Sequence, residues 1–149
     1  MNIDRLVVVR GAAVGLLIAM IAALANVVLA DQHPKPKGAL NATLVALLAG
    51  FVLAGFVVGL QVTHEAARHG AYAGLVVFVP VEIVGLLGRL DRGDPVSLPG
   101  IVILGFFAAG AGMFGARLGV GRRNRRHARS AGHPADPSFD GTTHPEGDT

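Results

Sequence analysis

The sequence predicts an all-α, polytopic membrane protein: four transmembrane helices, arranged as two tandem hairpins with both termini cytoplasmic. Three observations predict it. The 149 residues are 52% hydrophobic and only 15% charged, where a soluble domain carries about 25%. The missing charge is concentrated in long runs. No ionisable acid or base of the Asp, Glu, Lys or Arg type falls in 11–30, 38–62 or 100–116, and 70–88 holds only Glu82. The basic residues gather where these runs end.

A bilayer's hydrocarbon core is about 30 Å thick and takes roughly 20 apolar residues to cross as helix. The runs give helices at about 8–30, 39–61, 70–89 and 98–119. The first ends in "NVVLADQ", whose V-x-A before Asp31 has the look of a signal-peptidase site. A leader's apolar core is about 7–15 residues. This one is longer and contains Asn26, so a retained helix is expected. Residues 1–120 form the membrane domain on this reading, and 121–149 a tail that is basic at first and then disordered.

Lys and Arg near helix ends favour the cytoplasmic side. With the termini inside, Arg5, Arg10, Arg68, Arg117, Arg122, Arg123, Arg125, Arg126 and Arg129 lie inside, and Lys35, Lys37, Arg89 and Arg92 lie outside. The bias sets the expected orientation and points to the cell (inner or plasma) membrane. The outer turns "DQHPKPKG" and "LDRGDPVSLPG" are rich in Pro and Gly, as tight turns require.

The chain carries the same hairpin twice in outline. "GAAVGLL" at 11–17 aligns with "GAYAGLV" at 70–76, and Gly50, Gly55 and Gly59 align with Gly110, Gly115 and Gly119. Both hairpins run the same way, so the repeat is parallel, with its axis along the membrane normal. Glycine-rich apolar segments also align by composition alone, and with 21 glycines the background is high. Gly11/Gly15, Gly55/Gly59, Gly70/Gly74 and Gly115/Gly119 are each a G-x-x-x-G pair. Lipid tails are as apolar as Leu, so helices in a bilayer associate by close backbone contact, which small residues permit. All four pairs fall at the cytoplasmic end. A bundle that is tightest there and wider outside is expected.

"GFVLAGFVVGL" at 50–60 followed by "RHGAYAGLV" at 68–76 resembles small four-helix bacterial membrane proteins with Gly-rich repeated hairpins, over about residues 8–120. The resemblance implies the architecture and no activity. Small multidrug-resistance transporters also combine four helices with one membrane glutamate. There the acid is on the first helix and the chain is shorter, so the pattern departs from that family.

Glu82, inside "VFVPVEIVGL" at 77–86, is the one ionisable group well inside an apolar run. A charged carboxylate at mid-bilayer costs about 2.5–3.5 kcal/mol on insertion scales. No base is expected at its depth, and Arg89, one heptad on, is expected too far along the helix to pair directly. The expectation is therefore a protonated acid hydrogen-bonded to Asn26 on the first helix, with Pro80 freeing the carbonyl of Val76 beside it. Asn41 and Thr43 lie nearer the outer surface. Glu82 then serves either as a proton or cation site or as a neutral packing group.

Other motifs carry less. "THEAARHG" at 63–70 fails the H-E-x-x-H zinc spacing, since His64 and His69 are five apart and point roughly 140° away from each other on a helix; both are expected to be solvated. "RLGVGRRNRRHARS" at 117–130 is a stop-transfer signal that also suits anionic lipid headgroups, through Arg122, Arg123, Arg125, Arg126 and Arg129. Nucleic acid is not expected, because no aromatics are interleaved. With no cysteine, thiolate metal sites and disulfides are excluded. No Ser-His-Asp set, phosphate loop or paired carboxylate lies in the helices. No enzyme activity, cofactor or metal is expected. The sequence leaves a membrane accessory or scaffold protein, packed with itself or with a larger membrane partner, beside a proton- or cation-coupled transporter or channel using Glu82.

Overall fold

A computed structural model describes residues 4–30, 32, 37–62 and 64–131. It is all-α: α1 (Arg5–Ala30), α2 (Lys37–Gln61), α3 (Ala66–Asp91) and α4 (Leu98–Ala131). No strand occurs among the described residues. All four helices contain a stretch long and apolar enough to cross a membrane, which suggests a multi-pass membrane protein.

Local sequence sets the helix ends. Asp4 caps α1, its Oδ1 accepting from the N–H groups of Leu6 and Val7. Gly93, at φ +69°, ends α3. Its N–H donates to Leu90 O and that of Asp94 to Arg89 O, a Schellman closure. Ser97 Oγ accepts from Gly100 N–H at the start of α4, with Pro99 in the first turn, where its missing N–H costs nothing. α3 runs through Pro80 without a break.

The core is made of small residues. Ala19, Ala54, Ala73, Ala108 and Ala116 are fully buried, and Phe51, Val58 and Val77 are the largest side chains enclosed. The big apolar side chains point the other way: Leu17, Ile21, Leu98 and Phe106 are each about 70% exposed or more. Water would penalise such a surface. Hydrocarbon does not, and close helix contact through small residues is how bundles cohere in it.

α2 and α3 each touch all three other helices, whereas α1 and α4 do not touch each other. At the end of the bundle bearing both termini, helices meet backbone to backbone. A Cβ on Gly11 or Gly15 would collide with α2 at Ala54. One on Gly55 would strike the carbonyl of Gly112, and one on Gly59 that of Ala116. Gly70 and Gly74 are closed in the same way by Gly112 and Ala108, and Gly115 and Gly119 by the carbonyls of Val52 and Phe56.

The α2–α4 seam has an internal symmetry. A shift of 60 residues turns the Gly55–Gly112 contact into Val52–Gly115, and Gly59–Ala116 into Phe56–Gly119; all four contacts are present. The rest of the bundle departs from it. Gly11 packs on Ala54 and Val58, but Gly70 packs on Gly112 and Ala116, a register two residues off. Gly50 is closed by Ala19, while its aligned partner Gly110 has nothing within 4 Å.

The end of α4 departs furthest from the sequence expectation. α4 does not stop near 119 but stays helical through Ala131. Arg, Asn, His and Ala over 122–131 contain no Gly or Pro, so nothing in that stretch ends a helix once water replaces lipid. The expected disorder of 132–149 lies outside the described residues.

Candidate functional site

At the end of the bundle opposite the termini, α1, α2 and α3, with Leu104 of α4, line a partly open cavity of about 160 Å³. Ala22, Ala23 and Val81 form its apolar wall; Asn26, Thr43, Glu82 and Arg89 supply its polar groups. It is large enough for several water molecules.

Of the polar groups that the sequence singled out there, the structure brings together Asn26, Thr43, Glu82 and Arg89, leaves Asn41 exposed, and pairs them differently. Asn26 Nδ2 donates to Thr43 Oγ1 at 2.7 Å, not to Glu82. The bond ties α1 to α2, and a hydroxyl is a partner that needs no change of charge. Glu82 instead faces Arg89, whose Nη1 lies 3.5 Å from its Oε1. The expectation that Arg89 is too far along the helix is thus corrected. Residues seven apart share a face of an α-helix about 10 Å apart along its axis, and the long arginine side chain bends back across that gap. The Glu82 side chain is 15% exposed and that of Arg89 32%.

The pairing is incomplete. At 3.5 Å the two groups attract, but Glu82 Oε1 has no hydrogen-bond donor and is buried. It is therefore an acceptor with capacity to spare, set in the wall of a small, mostly apolar cavity. Pro80 sits two residues before Glu82 on the same unbroken helix.

The terminal end holds a second polar arrangement, which the sequence did not reveal. His69 is buried at 5% exposure, not solvated as expected, whereas His64 is exposed. The Nδ1 of His69 lies 3.1 Å from Glu65 O, and Asp4 N–H donates to Nε2 at 3.3 Å. A carbonyl can only accept, so Nδ1 carries the proton and Nε2 the lone pair. The imidazole thereby links the start of α1 to the start of α3. Only the spacing of His69 one residue before the tightly packed Gly70 hinted that it faces inward. Glu65, at φ 51°, opens α3 and pairs with Arg68 at 3.1 Å.

The arginines of α4 divide into two sets. Arg123, expected among the headgroup-facing residues, turns inward and donates to Val62 O at 2.7 Å, closing the end of α2. Arg122, Arg125, Arg126 and Arg129 are exposed. Among the described residues no group of three or more His, Cys, Asp or Glu side chains is placed to hold a metal.

Comparison with family models, with curated proteins and with solved structures finds no match.

Proposed function

We propose that the protein is a small integral membrane scaffold or accessory subunit, inserted in the cell membrane with both termini cytoplasmic, which packs with copies of itself or with a larger membrane partner. The observation that carries this reading is the Arg89 guanidinium 3.5 Å from the Glu82 carboxylate. A coupling acid has to be available to its ion. Here its charge has a partner on its own helix, and the neighbouring Asn26 is occupied by Thr43. The Gly-to-backbone contacts between helices support a bundle closed tightly at the end bearing the termini. The large apolar faces are available for lipid or for another transmembrane helix.

One observation favours a second reading, a proton- or cation-coupled transporter or channel. The buried Oε1 of Glu82 has no donor and opens on a cavity that admits water. Reconstitution of the full chain into liposomes holding a pH-sensitive dye separates the two. The scaffold reading expects no proton flux above protein-free vesicles under an imposed gradient, together with cross-linked dimers or larger species in the same membranes. A flux that is present in the native protein and lost in Glu82→Gln establishes the transporter reading instead.

A further inference from the structure

Where α4 leaves its apolar stretch, a cleft of about 660 Å³ opens on its outer side. Its floor is Phe56 of α2 and Leu118; its walls are Arg117, Arg122, Arg125, Arg126 and Arg129, and among the described residues no carboxylate lines it. We propose that this cleft is a binding site for a glycerophospholipid carrying two phosphates. The proposal rests on the reading that the four apolar helices cross a bilayer.

The chemistry of the lining selects the ligand. Guanidinium groups present forked donors that match phosphate oxygens, and five of them with no carboxylate among the described lining residues call for more than one negative charge. From Arg117 to Arg129 the helix rises about 18 Å, a longer span than a single phosphate covers. The apolar floor then decides between a free polyphosphate and a lipid. Leu118 is 48% exposed and lies beside Phe56, below Arg122, Arg125, Arg126 and Arg129 and level with Arg117. That order, apolar toward the membrane and cationic toward water, follows an acyl chain joined to a headgroup. Arg117 marks the level at which the two meet. Basic pockets beside transmembrane helices are suited to headgroups of this kind.

α4 supplies the site because it does not stop at the membrane surface. Its continuation to Ala131 holds Arg122, Arg125, Arg126 and Arg129 on one side of a rigid rod. Arg123 points to the bundle and braces that rod against Val62. It is excluded from the site and serves as the internal control.

The test uses the full chain, purified in neutral detergent and examined by native mass spectrometry with added cardiolipin, phosphatidylglycerol or phosphatidylcholine. The expected result is a retained cardiolipin, bound at least about tenfold more tightly than phosphatidylglycerol. The combined change Arg122→Gln, Arg125→Gln, Arg126→Gln and Arg129→Gln abolishes that preference, while Arg123→Gln keeps it. Phe56→Ala weakens cardiolipin retention without restoring phosphatidylglycerol to parity. Inorganic pyrophosphate in excess does not displace the lipid. Equal retention of the two anionic lipids, or an undiminished preference in the fourfold variant, overturns the proposal. Displacement by pyrophosphate overturns its lipid component. Circular dichroism checks that each variant stays helical. Flotation with phosphatidylcholine vesicles reads membrane insertion separately, so failure of the membrane reading is told apart from failure of the site.

Discussion

The guanidinium of Arg89 returns along α3 to lie 3.5 Å from the carboxylate of Glu82, seven residues earlier on the same helix. The pair gives the deepest acid in the chain a counter-charge without help from a second helix. Gly93 ends α3 only four residues after Arg89, so the arginine's long stem runs back from the end of the helix to bring its head to Glu82.

Removing either partner leaves the other charge exposed to low dielectric. Arg89→Gln and Glu82→Gln are each expected to cost about 1–3 kcal/mol, less than a fully buried pair because Arg89 is partly open. The double variant is expected to lose less than the sum of the two, by at least about 0.5 kcal/mol. Reversible unfolding in mixed micelles measures the cycle. Additive losses contradict the pairing.

The glycines divide into closed and open positions, and alanine substitution reads the difference. Gly55→Ala and Gly115→Ala drive a methyl into a facing carbonyl and are expected to cost about 1–3 kcal/mol. Gly110→Ala and Gly121→Ala meet nothing within 4 Å, and are expected to be neutral or to stabilise by up to about 1 kcal/mol through helix propensity. The same unfolding measurement applies. Equal effects at all four positions exclude the backbone-contact account.

The Asn26–Thr43 bond ties the first hairpin at its outer end. Asn26→Ala is expected to destabilise by about 0.6–1.7 kcal/mol, the range for interhelical side-chain bonds in membrane proteins. Asn26→Asp places a second carboxylate in the cavity beside Glu82 and is expected to cost more. A smaller loss for aspartate than for alanine counts against a shared cavity.

His69 is read by hydrogen exchange. Its Nε2 accepts from the Asp4 N–H, so His69→Ala is expected to raise the exchange rate of the Asp4 amide at least about tenfold. His64→Ala leaves it unchanged, because His64 is exposed. An unaltered Asp4 rate in His69→Ala removes the link between α1 and α3.

The four helices were legible in the sequence because hydrocarbon thickness sets a length that composition alone reveals. The inward placement of Gly11, Gly15, Gly55, Gly59, Gly70, Gly74, Gly115 and Gly119 followed from spacing. The partners of Glu82 did not. Depth along a helix was readable, but the reach of Arg89 depends on side-chain torsions that no periodicity encodes. Asn26 and Glu82 line the same cavity, yet the Asn26 amide goes to Thr43, a choice of partner that spacing does not encode. The inward turn of His69 was hidden for a similar reason: a lone histidine next to a polar loop reads as solvated until the packing around Gly70 is known. The length of α4 was missed because the apolar run, not helix propensity, set the expected boundary.

The contact pattern among the helices has a mechanical consequence. α2 and α3 form a shared spine, with α1 and α4 on opposite flanks that never meet. A force applied to the arginine-bearing extension of α4 therefore reaches α1 only by relay. One route runs through Arg123 and the end of α2, and the other through α3, which carries His69 at one end and Glu82 toward the other. The arginine-bearing extension and the cavity at the opposite end are thus two ends of one transmission path, coupled through the glycine seams that join the spine to its flanks.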